Sequence, residues 1–92
     1  MNPTAETPSA PALARWEEIL LKIARECVQE GPGFAQESVV LRRAAEELKV
    51  GNDLREQQRL LTAWQNLFRN GRLSWGYNVR NPSAPFFHVP VD

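Results

Sequence analysis

The sequence has one cysteine, one histidine and one tyrosine among 92 residues, and no surplus of either charge, since eleven Lys and Arg balance eleven Asp and Glu. A single Cys27 excludes an internal disulfide, and no Cys/His set has the spacing of a zinc site, so no metal or cofactor is expected. The zero net charge argues against a strong nonspecific polyanion binder, which carries excess Lys and Arg. No apolar run approaches the ~20 residues of a spanning helix, and the start of the chain lacks the basic region and apolar stretch of a signal peptide. No membrane role is expected, and a cytoplasmic location is the default. Gly31-Pro32-Gly33 lacks the lysine and hydroxyl of a phosphate-binding loop. Cys27 falls on an apolar stripe where a buried thiol is inert, and His88 has few partners for general-base work. An enzyme with a small-molecule substrate is therefore not expected.

What is present suits one small domain with a single core. Residues 1–12 contain Pro3, Pro8 and Pro11 among Ala, Thr and Ser, and are expected to be a disordered tail, leaving 13–92 as the folded unit. Leu13, Trp16, Leu20, Ile23 and Cys27 recur at three and four residues and predict a helix over about 13–29, ended by Gly31-Pro32-Gly33. Phe34 to Glu37 reads as a link. A second, three-turn helix follows, with Gln36 or Ser38 as candidate cap and Leu41, Ala44, Ala45 and Leu48 inward. After Val50-Gly51-Asn52, Asn52 or Asp53 can cap a third helix over about 53–69, with Glu56 placed for a capping-box return.

In that third helix Leu60, Leu61, Trp64, Leu67 and Phe68 cluster on one side and Arg55, Gln58, Arg59, Thr62, Asn66 and Arg69 on the other. Asn70-Gly71 ends it, and the period switches to two. Leu73, Trp75, Tyr77 and Val79 alternate with polar residues as a half-buried strand. After Asn81-Pro82-Ser83-Ala84-Pro85, the residues Phe87, Val89 and Val91 alternate as a returning strand, which Pro90 places at an edge. The three tryptophans read as core rather than as a stacking platform for single strands. Charge is unevenly spread: residues 1–52 carry six basic and eight acidic side chains, residues 53–80 five basic and two acidic.

The stretch Leu60-Leu61-x-x-Trp64-x-x-Leu67-Phe68-x-x-Gly71-x-Leu73, with Trp75-Gly76-Tyr77-Asn78 running to Pro85-Phe86-Phe87-His88, resembles the winged helix-turn-helix family, as found in small bacterial modules. The resemblance implies an α+β fold of three helices with a C-terminal two-stranded β-hairpin as the wing. It also implies double-stranded DNA as partner and a role in transcriptional regulation. Arg55, Gln58, Arg59 and Thr62 would then face the major groove, with Asn66 and Arg69 farther along, and Arg80 and Asn81 would be the wing contacts. The alternatives are a solvated helix face, a non-catalytic protein-interaction module that uses the hairpin edge or the face of the third helix, or an accessory domain of a larger protein. Adjacent Phe86 and Phe87 point to opposite faces of a strand, so Phe86 with His88 forms a candidate edge for a protein partner or a homodimer.

Overall fold

The computed structural model describes residues 10–91. Three helices, α1 (Ala10–Glu30), α2 (Glu37–Glu47) and α3 (Leu54–Arg69), are joined by three short strands, β1 (Ala35–Gln36), β2 (Ser74–Trp75) and β3 (Phe86–His88). The fold is α+β, with α1 packed against both other helices. No helix among the described residues is long and apolar enough to cross a membrane.

Helix α1 starts at Ala10, so residues 10–12, expected in the tail, are helical; the rest of that expected tail, residues 1–9, lies outside the described residues. It buries Leu20, Leu21, Ile23, Ala24 and Cys27. It stops at Glu30, where Gly31 donates its amide back to Cys27 and Val28. Helix α2 has Gln36 at its N-cap, but without a side-chain cap bond, and Glu37 supplies a carboxylate to the first turn. Its buried residues are Val40 and Ala44; Leu41, Ala45 and Leu48 pack at the margin. Helix α3 is capped by Asp53, whose carboxylate accepts from the Glu56 amide at 3.2 Å. The reciprocal half of the capping box is absent, because the Glu56 carboxylate pairs with Arg59 instead.

The sheet has three strands, not two. The expected link contributes β1, which pairs antiparallel with β3 through Ala35↔Phe87 and Gln36↔Phe86, while β2 pairs with the other side of β3 through Ser74↔His88 and Trp75↔Phe87. The order is β1-β3-β2, so β3 is central and the expectation that Phe86 and His88 form a free hairpin edge is overturned. The expected long strand over 73–80 is also shortened. Its alternation holds through Trp75, then Gly76 turns the chain with φ +93°. Tyr77 and Val79 therefore leave the core, Val79 being 96% exposed, and beyond β3 Val91 is exposed too.

The core is built from aliphatic side chains around Trp64 and Phe87, both fully buried with ring centroids 5.3 Å apart, edge to face. No polar residue is buried among those described. The Trp64 indole N–H is satisfied at the boundary by the Glu37 carboxylate, 2.8 Å away, which also ties α3 to the start of α2. Trp75 stacks on Phe68 at 3.8 Å between centroids. Two of the tryptophans thus serve packing, and Trp16 lies half-buried against the same cluster.

Candidate recognition surface

Helix α3 divides into three longitudinal strips rather than two. Leu60, Ala63, Trp64 and Leu67 are buried. Opposite them Arg55, Gln58, Leu61, Thr62, Gln65 and Arg69 are exposed, as is Leu54 at the N-terminus. Leu61, expected in the core, is 42% exposed, and Leu54 is 65% exposed. At 100° per residue Leu61 lies roughly 110° from the middle of the buried strip. Ala63 falls inside the strip. Angular position, not side-chain hydrophobicity, separates the two.

The third strip faces α1. The Arg59 side chain is only 20% exposed; it pairs with Glu56 at 3.1 Å, and its guanidinium carbon lies 5.7 Å from the centroid of the Trp16 ring. Asn66 donates to the Glu17 carboxylate at 3.0 Å, and Arg72 pairs with Glu18 at 3.4 Å. Arg59 and Asn66 are thus turned toward α1 rather than outward. Arg69 remains exposed and donates back to the Asn66 side-chain oxygen Oδ1 at 3.5 Å. Thr62 donates its hydroxyl to the Gln58 carbonyl one turn earlier. Arg55, Gln58, Arg59 and Thr62 do converge, around a shallow depression of about 200 Å³.

The loop from Gly76 to Pro85 is the second part of the surface. The Gly76 amide donates to the Phe86 carbonyl, and the Gly76 carbonyl accepts from Nδ1 of His88, both at 2.6 Å. A carbonyl oxygen can only accept, so Nδ1 carries a hydrogen. A Cβ at position 76 would lie 2.6 Å from the backbone of Pro82, so both the positive φ and the close approach require glycine. Beyond it, Asn78 and Asn81 bracket a tight turn. The Asn81 amide donates to the Asn78 carbonyl at 3.1 Å, and its side-chain N–H groups bond Tyr77 Oη and Asn78 Oδ1, each at 3.0 Å. Asn81, expected as an outward contact, holds the turn together instead. The turn presents Val79 and Arg80 at its tip.

Phe86 is covered as well. Tyr77 stacks on Phe34 at 3.9 Å between centroids, and Phe86 meets both rings edge-on, so Phe86 and His88 are half-buried within the loop's own packing. The expectation that adjacent Phe86 and Phe87 point to opposite faces holds. Phe34, from the link before β1, and Tyr77 together cover Phe86. Cys27 lies apart from this loop, beside Glu30 and Arg43; burial pushes its thiol pKa up, against a smaller lowering by Arg43. It stays a neutral thiol near pH 7.

No protein-family model matches the chain, and no solved structure matches it. Among curated proteins, the uridylate kinase of Ruegeria pomeroyi is 31% identical over 64 residues, a stretch that is 70% of this chain and 26% of that enzyme. The chain is thus similar to about a quarter of the curated relative's length.

Proposed function

We propose that this chain is a non-catalytic winged-helix module that docks proteins through the outer face of α3. The helix and strand order, with β3 central and a tight loop between β2 and β3 as the wing, supports the winged-helix reading. The observation that carries the docking role is the composition of the α3 outer face. It bears Leu54 and Leu61 among glutamines and threonine, with Arg55 and Arg69 on the same face, while Arg59 and Arg72 are engaged with Glu56 and Glu18. A surface of exposed aliphatic groups with uncharged amides around them gains by excluding water against another protein. A cytoplasmic location belongs to this reading. The likeness to part of a uridylate kinase brings no phosphoryl-transfer role, because it spans only 26% of that enzyme.

A photo-crosslinking residue placed at position 61, with exposed Glu47 of α2 as the control position, tests the reading in the native host. Protein adducts from position 61 and none from position 47 are the expected result. The absence of adducts from position 61 would remove the docking role.

Double-stranded DNA is the second reading, favoured by the convergence of Arg55, Gln58 and Thr62 around one depression, with Arg69 on the same face and Arg80 at the loop tip. Arginine can chelate guanine O6 and N7, and glutamine can pair with adenine. It predicts binding to random duplex that weakens steeply with log[salt] and is lost in Arg55→Ala with Arg69→Ala. Arg59→Ala is no fair test, since it also strips Glu56 and Trp16 of a partner. No binding at low salt would discard the DNA reading.

A further inference from the structure

We infer that Asn70 is a site of spontaneous deamidation whose rate is set by how often the C-terminal end of α3 opens. Asn70-Gly71 is the single Asn-Gly pair in the sequence; every other asparagine precedes Pro, Asp, Leu or Val. An asparagine amide is among the thermolabile groups of a protein, and a following glycine has no Cβ to obstruct the approach of its nitrogen to the side chain. The reaction needs only water. Hydroxide removes the proton of the Gly71 amide, the nitrogen bonds to Cγ of Asn70, and the side-chain nitrogen takes a proton from water and leaves as ammonia. Water then opens the resulting five-membered imide. Cleavage of the new bond gives aspartate, and cleavage of the original peptide bond gives isoaspartate, whose main chain runs through Cβ and Cγ.

The Asn70 side chain is exposed, but the folded backbone opposes the first step. At ψ 4° the Gly71 nitrogen is eclipsed with the backbone nitrogen of Asn70 and so turned away from Cβ and Cγ. Its N–H is also donated to the Phe68 carbonyl at 3.1 Å. Rotation into the reactive conformer carries the following residues with it, and the amides of Arg72 and Leu73 both donate to the Leu67 carbonyl, at 2.8 and 3.1 Å. Leu67 and Leu73 are buried. Reaction therefore requires Leu73 to leave the core, a larger opening than the fraying of an exposed turn. Isoaspartate lengthens the main chain by a methylene, so the helix end and β2 cannot both keep their register afterwards. Either product also sets a carboxylate at the negative end of the α3 dipole. The site thus marks chains that have spent time open.

The test incubates the full chain in mildly alkaline buffer with and without guanidinium chloride. Peptide mapping by mass spectrometry locates the deamidated residue, and chromatography separates its isoaspartyl and aspartyl forms. In denaturant Asn70 should react ahead of every other asparagine, and folding should slow it by roughly tenfold or more. Leu73→Ala leaves the Asn-Gly pair intact; it should react roughly tenfold or more faster than the unmodified chain in buffer, and at the same rate in denaturant. Should Leu73→Ala fail to fold, the unmodified chain decides the matter: its rate should climb with denaturant below the unfolding midpoint. A flat rate there, or equal rates in the folded and unfolded chains, overturns the gating. Another asparagine reacting first in denaturant overturns the site.

Discussion

Helices α2 and α3 end with the same pair of backbone hydrogen bonds but reach it by different means. At the end of α2, Val50 donates to Ala45 at 3.0 Å and Lys49 to Glu46 at 3.2 Å; at the end of α3, Arg72 donates to Leu67 at 2.8 Å and Gly71 to Phe68 at 3.1 Å. Both are Schellman closures, which need one residue in the left-handed region. In α3 that residue is Gly71 at φ +74°, at no steric cost; in α2 it is Lys49 at φ +55°, where a Cβ costs about 1–2 kcal/mol. The α2 terminus must therefore be held from outside. Val50, the next residue, is buried in the core, and the Gln57 side chain of α3 donates to the Gly51 carbonyl at 2.8 Å, pulling the turn shut. One helix end is specified by its own residue, the other by its surroundings.

Removing the outside support should have the largest effect. Val50→Ala takes two methyl groups from the core and frees the strained lysine, and we expect a loss of about 2 kcal/mol in denaturant melts. A cost below a few tenths would show that burial does not hold that end. Next comes Gly71→Ala. Nothing lies within 4 Å of the added Cβ, so the cost is that of the backbone alone, about 1–2 kcal/mol. Asp53→Ala removes the cap that begins α3 immediately after the α2 closure and should cost about 1 kcal/mol, whereas Asp53→Asn should be nearly neutral. The smallest change should be a gain: Lys49→Gly relieves the strain at the α2 end, offset by the greater freedom of glycine in the unfolded chain, for a net stabilisation of about 0.5 kcal/mol. A destabilised Lys49→Gly would mean that the lysine side chain itself supports the turn.

The same contrast explains what could be read from the sequence. Gly31-Pro32-Gly33 and Asn70-Gly71 announce their helix ends because the residues doing the work are local, and the capping role of Asp53 was legible for the same reason. The α1 and α3 core strips follow from periodicity, apart from Leu61, whose hydrophobicity outweighed its angle on the helix. Strand β1 was not legible. Two residues, Ala35 and Gln36, carry no alternation, and they become a strand only because β3 arrives beside them from fifty residues away in the chain. The sequence pattern overextends β2 because alternation in Tyr77 and Val79 persists past Gly76, where φ +93° redirects the backbone. In the candidate surface, Arg55, Gln58, Thr62, Arg69 and Arg80 are exposed where the pattern put them. Arg59, Asn66 and Asn81 are not outward contacts, because Glu56 with Trp16, Glu17, and Asn78 with Tyr77 claim them; the Glu17 and Trp16 contacts cross between α1 and α3, beyond the reach of a single-helix pattern.

The place of β1 has a consequence for the order in which the protein can be assembled. Synthesis delivers α1, β1, α2 and α3 before Phe86–His88, so a nascent chain that has emerged through Arg69 possesses these three helices but no partner strand for Ala35 and Gln36, and Trp64 lacks the Phe87 ring that later abuts it. Helix docking, which depends on nearby contacts, can proceed on the ribosome. Closure of the sheet must wait for those residues, and the amide of Glu37, which donates to Pro85 at 2.9 Å, is among the groups left waiting for it.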